Sequence, residues 1–264
     1  MLVLTLNQNM QNYLLKHYQQ YEINTNDINI NKMYQKEQTI LKWYKTNIIT
    51  INGIKQKEIY SDLFMQVNEI NYVGCDEVGI GDYFGPEVYV SVKLTQEAIN
   101  KLAQLCLPIK DSKKLKDEEI FFMCKQLNQF LEYKYQINYD DKIENSVSRK
   151  VIFHHQNLFE NEKTIIDLFT TINSFNKYSK EKNLNWPKGI ILENKADSKY
   201  ICVALASIIA RGIFLTEIKK IEKKYRIKLP LGNNFDKIYI DNFIKKYGKD
   251  ELDKIAKTSF QKKE

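Results

Sequence analysis

The chain has 264 residues, with 40 Lys and Arg against 33 Asp and Glu and a formal net charge of +7. At 43% hydrophobic residues it has the composition of a globular protein, long enough for one large domain or for a small domain plus a medium one. No uninterrupted run of about 20 apolar residues is present to cross a bilayer. The opening apolar stretch, Leu2 to Leu6, lacks the length and basic leader of a secretory signal, so a cytoplasmic protein with no membrane partner is expected. Cys75, Cys106, Cys124 and Cys202 form no CxxC pair, and His17, His154 and His155 complete no zinc pattern. Free buried thiols are expected instead. The excess of positive charge suits a polyanionic partner.

The first 68 residues are polar and aromatic, with one glycine, Gly53, and no proline. Leu2 to Leu6 reads as a strand, followed by an amphipathic helix with Met10, Tyr13, Leu14, Tyr18 and Tyr21 near helical spacing. Three β-like runs come next, around Ile30–Tyr34, Ile40–Tyr44 and Asn47–Ile51, and a second helix runs from about Lys55 to Gln66. This order predicts a small α+β module, residues 1–68, with helices on one sheet face. In the run from Ile40 to Lys45, alternation puts Lys42 and Tyr44 on one face and Leu41 and Trp43 on the other. A face mixing lysine with an aromatic can follow a nucleic-acid backbone; an ordinary solvated sheet face fits the same pattern.

From Asn71 the texture changes. Tyr72 to Cys75 and Val88 to Val92 read as buried strands around a glycine-rich turn, followed by helical patterns at Gln96–Leu105 and Asp117–Gln129. Apolar runs ending at Ile166 and Leu192 are each followed closely by an acidic residue. A long helix is expected from about Lys199 to Lys224, then two more split at Gly248. Residues 69–264 are thus expected to form a mixed α/β domain.

The sharpest local signal is the segment from Gly74 to Pro86, where Asp76 and Glu77 end a hydrophobic strand and Gly79, Gly81 and Gly85 follow. Charge at that place costs free energy unless something positive compensates it. Strand alternation points the two carboxylates in different directions, so a metal site there needs acids from other elements. A hairpin carrying surface acids fits the same residues. A dinucleotide fingerprint does not, because Pro86 and a second strand follow Gly85. Asp111-Ser112-Lys113-Lys114-Leu115 offers basic groups and a hydroxyl suited to phosphate. Asp197 precedes a helix rich in small residues, where helix capping competes with metal binding as its role.

Taken together, D-E-V-G-x-G-D-Y-F-G-P at Asp76–Pro86, D-S-K-K-L at Asp111–Leu115 and K-A-D-S-K continuing into A-x-A-S-I-I-A-R at Lys195–Arg211 resemble ribonuclease HIII. The resemblance covers Tyr72 to the C-terminus. It implies a ribonuclease H-like catalytic domain preceded by a small TATA-binding-protein-like domain that helps hold substrate, and an endonuclease that cuts the RNA strand of RNA–DNA hybrids. Four acids would form the catalytic and metal site: Asp76, Glu77, Asp167 in its I-D-x-F context, and Asp197, one methylene shorter than the glutamate usual there. Two Mg²⁺ ions, or Mn²⁺, are the implied cofactors, with no small-molecule cofactor and a monomeric chain. Gly79, Ile80 and Gly81 are candidates for reading the substrate, Lys113 and Lys114 for contacting phosphates, Asp111 and Ser112 for binding substrate beside them, and Lys42 and Tyr44 for holding the duplex. The rival activities are cleavage at single ribonucleotides in DNA, as in ribonuclease HII, and hybrid binding without catalysis.

Overall fold

The computed structural model describes residues 1–257 except 110, 111, 141–143, 161, 234 and 235, and of Lys114 only the backbone. The N-terminal layer comprises β1 (Leu2–Thr5), α1 (Gln8–His17), β2 (Glu22–Ile23), β3 (Ile30–Lys36), β4 (Thr39–Tyr44), β5 (Ile48–Gly53) and α2 (Gln56–Phe64). Its antiparallel sheet has the order β1-β5-β4-β3-β2. Asn7 starts α1 by accepting the N–H of Met10 at 3.0 Å, and Lys16 and His17 complement its C-terminal dipole. Leu4, Leu41, Trp43, Ile49 and Ile51 point inward with Met10 and Leu14 of α1 and Leu63 and Phe64 of α2. Lys42, Tyr44 and Thr50 lie on the other, half-exposed face, as the alternation requires. The two-residue β2 is too short to leave a periodic signal.

The second layer comprises β6 (Tyr72–Val78), β7 (Glu87–Leu94), α3 (Gln96–Leu105), α4 (Asp117–Leu127), β8 (Glu132–Asn138), α5 (Ser146–Gln156), β9 (Thr164–Asp167), α6 (Ile172–Glu181), β10 (Ile191–Glu193), α7 (Ile201–Tyr225), α8 (Lys237–Tyr247) and α9 (Lys249–Asp253). Its sheet runs β10-β9-β6-β7-β8. β10, β9 and β6 are parallel, and β7 and β8 pair antiparallel. Strands and helices interleave along this part of the chain. The elements without a clear sequence signal are β8, an edge strand of exposed and half-buried residues with Asn138 alone buried, and the short polar helices α5 and α6.

Helix α7 crosses one face of this sheet. By length and hydropathy it could span a bilayer, yet 78% of its most apolar stretch is buried inside the protein, and a core helix surrounded on all sides needs no polar face. Its close seating depends on Gly74 in β6: a Cβ there would lie 2.2 Å from the backbone carbon of Cys202 and 2.3 Å from the nitrogen of Val203. Its N-terminus is fixed by Glu69, whose buried carboxylate accepts the N–H groups of Ile201 (3.0 Å) and Cys202 (2.9 Å). The opposite face is covered by α5 and α6 through a smaller cluster of Val73, Cys75, Val151, Ile166 and Phe175. Cys75, Cys106 and Cys202 are buried and Cys124 is half-buried, all as free thiols.

The two layers share one apolar core that runs from Ile59 and Phe64 of α2 to Leu102 of α3 and Leu107, and the Tyr60 hydroxyl donates to the Leu107 carbonyl across it. Because Gly74 meets backbone and not a yielding side chain, Gly74→Ala is expected to force α7 off the sheet. The expected cost is at least about 3 kcal/mol, at the upper end of overpacking effects, or a fall in Tm of about 6–12 °C, checked by thermal melting.

Candidate active site

The parallel register of β6 and β9 pairs Cys75 with Ile166, which brings the next residues, Asp76 and Asp167, alongside one another at the strand ends. On the far side of β9, Asp167 pairs with Glu193 of β10. The carboxylate of Asp76 faces α7, accepting hydrogen bonds from the Ser207 hydroxyl and from the N–H of Glu77, the latter at 2.8 Å. These bonds do not compensate its charge. Burial foremost, then the charge of Glu77, and also that of Asp167, hold the Asp76 carboxyl well above its ordinary range. Behind it runs a polar chain joining two of the sequence motifs. Ser207 Oγ lies 2.8 Å from Ser112 Oγ, and Arg211 donates to the Ser112 carbonyl and, at 2.9 Å, to Asp117.

Glu77 projects to the opposite face of the sheet and meets α5. Lys150 Nζ lies 3.0 Å from its Oε1, and His154 Nε2 lies 2.9 Å from its Oε2. Burial alone would push this carboxyl up, but the His154 hydrogen bond and the Lys150 charge override it and bring its pKa down to about 2. The His154 ring is fully buried between Phe169, stacked at 5.5 Å, and the edge of Tyr89. Helix α5 is itself anchored by a buried pair, with Arg149 Nη2 2.6 Å from Glu87 Oε1, and Glu87 also accepts from Tyr89 and Asn138. Lys150 and His154 are the functional neighbours that the sequence reading missed. Their signal is an i, i+4 spacing in a helix that starts at Asn145, a cap accepting the Ser148 N–H at 3.0 Å.

Asp197 lies on a single 3-10 turn, Ala196–Ser198, entered through Lys195 at φ 55°. Asp167 steadies that turn by accepting the Ala196 N–H at 2.8 Å, so the acid that ends β9 positions the backbone that carries Asp197. The N–H groups of Ile201 and Cys202, the first two of α7, are taken by Glu69. Asp197 lines a cleft with Ile109, Tyr200 and, from the N-terminal layer, Thr5 and Asn7.

The glycine-rich turn divides into two parts. Gly79 is buried at φ +92°, where a Cβ would lie 2.2 Å from the Pro86 carbonyl, so its job is to make the turn. Ile80 is half-buried and Gly81 is exposed with open space around it, so these two form the surface available to a ligand. The C-terminal segment braces this turn from behind: Gly85 N–H donates to the Ile255 carbonyl (2.8 Å), Lys257 N–H to Tyr83 (2.8 Å), and the buried Lys257 ammonium to the carbonyls of Asp82 and Gly85. Ser112 departs from the phosphate-contact expectation, since its hydroxyl is 2% exposed and bonded inward to Ser207. Lys113 is exposed beside it. Asp111 and the Lys114 side chain lie outside the described residues.

Among the described residues, no three His, Cys, Asp or Glu side chains converge into a ready-made metal cage. The donor set nonetheless fits a hard divalent cation. It is all oxygen, and Asp76 carries an ionisation that the surrounding protein disfavours. Mg²⁺ in particular retains several waters and binds through one or two carboxylates together with substrate phosphates, so a closed cage is not required. Asp76 and Asp167, with Asp197 on the tethered turn and Glu77 across the strand end, are the groups that could hold it.

The family described as Ribonuclease HII matches residues 73–263, and the chain belongs to that family, which makes it an endoribonuclease. Within the family its similarity runs to ribonuclease HIII. The ribonuclease HIII of Streptococcus agalactiae is 33% identical over 225 residues, covering 78% of this chain and 74% of that protein. The ribonuclease HIII of Lactococcus lactis is 31% identical over 282 residues, covering 98% and 95%. The fold is shared with a crystal structure of Bst-RNase HIII in complex with Mn²⁺, at a TM-score of 0.67 and 23% identity over 98% of this chain and 95% of that one.

The two adjacent acids should respond oppositely to neutralisation in EDTA at pH 7–8. Asp76 has a raised pKa, so its ionised form costs stability above that pKa. Asp76→Asn is expected to raise Tm. Glu77 has a lowered pKa; its contribution is present above its ordinary 4.5 and is lost as pH falls toward about 2. Glu77→Gln is therefore expected to lower Tm, by about 1–3 kcal/mol in stability. Paired melting curves check both signs.

Proposed function

We propose that this chain is an endonuclease that hydrolyses the RNA strand of RNA–DNA hybrids and leaves 5′-phosphate and 3′-hydroxyl ends. The observation that carries this reading is the under-compensated Asp76 carboxylate at the end of β6, flanked by Asp167 and Glu77, in a chain of the ribonuclease HII family. A phosphodiester is anionic and resists attack, so acids can work on it only with cations between them and the phosphate. Asp76, Glu77, Asp167 and Asp197 would hold two Mg²⁺ or Mn²⁺ ions. Such ions, when bound, activate a water and stabilise the leaving oxygen.

The chain's own residues do the remaining work. Ser207 and the Glu77 N–H orient the Asp76 carboxylate, and Asp167 holds the turn that presents Asp197. The exposed backbone at Ile80 and Gly81 admits the close approach of a sugar edge, where a 2′-hydroxyl distinguishes RNA from DNA. Lys113 supplies charge for phosphate beside it. From Asp197 the cleft passes Thr5 of β1, a residue on the same open sheet face as Lys42 and Tyr44 of β4, which lies two strands away. That continuity supports a duplex running from the acids across the N-terminal layer, residues 1–68, with residues 69–264 supplying the catalysis. The enzyme acts as a cytoplasmic monomer.

Cleavage of two labelled duplexes in Mg²⁺ and in Mn²⁺ tests the assignment: a full RNA–DNA hybrid, and DNA carrying one ribonucleotide. The hybrid is expected to be cut into 5′-phosphorylated fragments, with little action on the single ribonucleotide. Asp76→Asn is expected to reduce cleavage by about 10³-fold or more while hybrid affinity in a filter-binding assay stays within about threefold. Retained turnover in Asp76→Asn removes the assignment, and preferential cutting of the single ribonucleotide moves it to the ribonuclease HII activity.

A further inference from the structure

Both oxygens of Glu77 are already engaged before any metal arrives. Lys150 takes Oε1 at 3.0 Å and His154 takes Oε2 at 2.9 Å, from successive turns of one helix face. The contact is sheltered, with the Lys150 side chain 14% exposed and that of Glu77 9%. The ammonium also sits 5.1 Å from the centre of the Phe169 ring, next to Leu168, whose N–H donates to the Glu193 carbonyl at the end of the acidic row. The helix cannot drift away easily, because Arg149, the neighbour of Lys150, is locked into Glu87 of the same sheet. A fixed monovalent cation therefore stands on the Glu77 side of the strand end, while among the described residues the Asp76 carboxylate is held by the neutral donors Ser207 and the Glu77 N–H.

We propose that Lys150 is the resident counter-cation of the metal site, a positioning residue that holds Glu77 when the site is empty and opposes the entry of a divalent ion. This rests on the reading that Glu77 belongs to the metal site. A positive charge held beside a metal-binding carboxylate lowers its affinity for a second cation, by simple Coulomb repulsion and by competition for the same oxygens. The consequence is an inversion: removing a side chain from the site should make the site bind metal more tightly. A purely structural Lys150 gives the opposite result, because losing it would loosen Glu77 and weaken binding.

The test uses the full chain stripped of metal, and Mn²⁺ alone as the probe, followed by isothermal titration calorimetry and by the rise of Tm on adding Mn²⁺. Lys150→Gln keeps a donor to Glu77 and removes the charge; Lys150→Arg keeps both. Lys150→Gln is expected to tighten the apparent Kd for Mn²⁺ by about tenfold and to enlarge the Mn²⁺-induced rise of Tm, while its Tm in EDTA falls. Lys150→Arg is expected to remain within about twofold of the wild type. Unchanged or weaker Mn²⁺ binding by Lys150→Gln, with the wild type binding normally, overturns the proposal and leaves the proposed function standing. No Mn²⁺ binding by either protein overturns both.

Discussion

Two carboxylates, Asp76 on β6 and Asp167 on β9, stand side by side on adjacent parallel strands, and the charge of Asp167 adds to that of Glu77 in disfavouring ionised Asp76. The surrounding architecture can be understood as what is needed to hold that arrangement. Burial and the charges of Glu77 and Asp167 disfavour ionised Asp76, so the protein must hold it in place with something other than an ion pair. It does so with neutral donors, the Ser207 hydroxyl and the Glu77 N–H. Neutral donors orient the carboxylate and leave its charge available. Glu77, one residue on, is treated in the opposite way and is saturated by Lys150 and His154. Two neighbouring acids thus have pKa values pushed in opposite directions by their environments, a separation characteristic of functional sites.

Holding Ser207 against Asp76 requires α7 to lie close to the sheet, and that closeness explains several features at once. Gly74 removes the Cβ that would strike Cys202. Small residues at Ala204, Ala206 and Ala210 keep the buried helix slim. Glu69 fixes the helix N-terminus by accepting its first N–H groups, at the cost of burying a carboxylate whose pKa burial raises. The serine of the Asp111–Leu115 motif then locks onto Ser207 from the other side. Two motifs separated by about ninety residues in the chain are thus parts of one hydrogen-bonded support behind the Asp76 carboxylate.

Much of this was legible in the sequence because burial leaves a periodic trace. The alternation in Leu41, Lys42, Trp43 and Tyr44 gave the correct faces of β4, and the apolar runs before Asp167 and Glu193 marked β9 and β10. The divergence of Asp76 and Glu77 followed from strand geometry alone. What escaped was of two kinds. β8, α5 and α6 carry mixed polar faces, since an edge strand and short surface helices bury too little to show a period. Side-chain direction was the other. Nothing in D-S-K-K-L says that its serine turns inward, and nothing around Asp197 says that Glu69, 128 residues earlier, caps the helix. The resemblance to ribonuclease HIII pointed to four acids without showing which neighbours surround them.

The most direct test of this account is anomalous diffraction from a crystal soaked in Mn²⁺, because the central claim is that the end of β6 is where cations and phosphate meet. The expected result is anomalous density within coordinating distance of Asp76, shared with Asp167 or Asp197 and strengthened when a non-hydrolysable hybrid is bound to the wild-type protein. Density confined to other acidic surfaces, with Asp76 contacted by none, would contradict it.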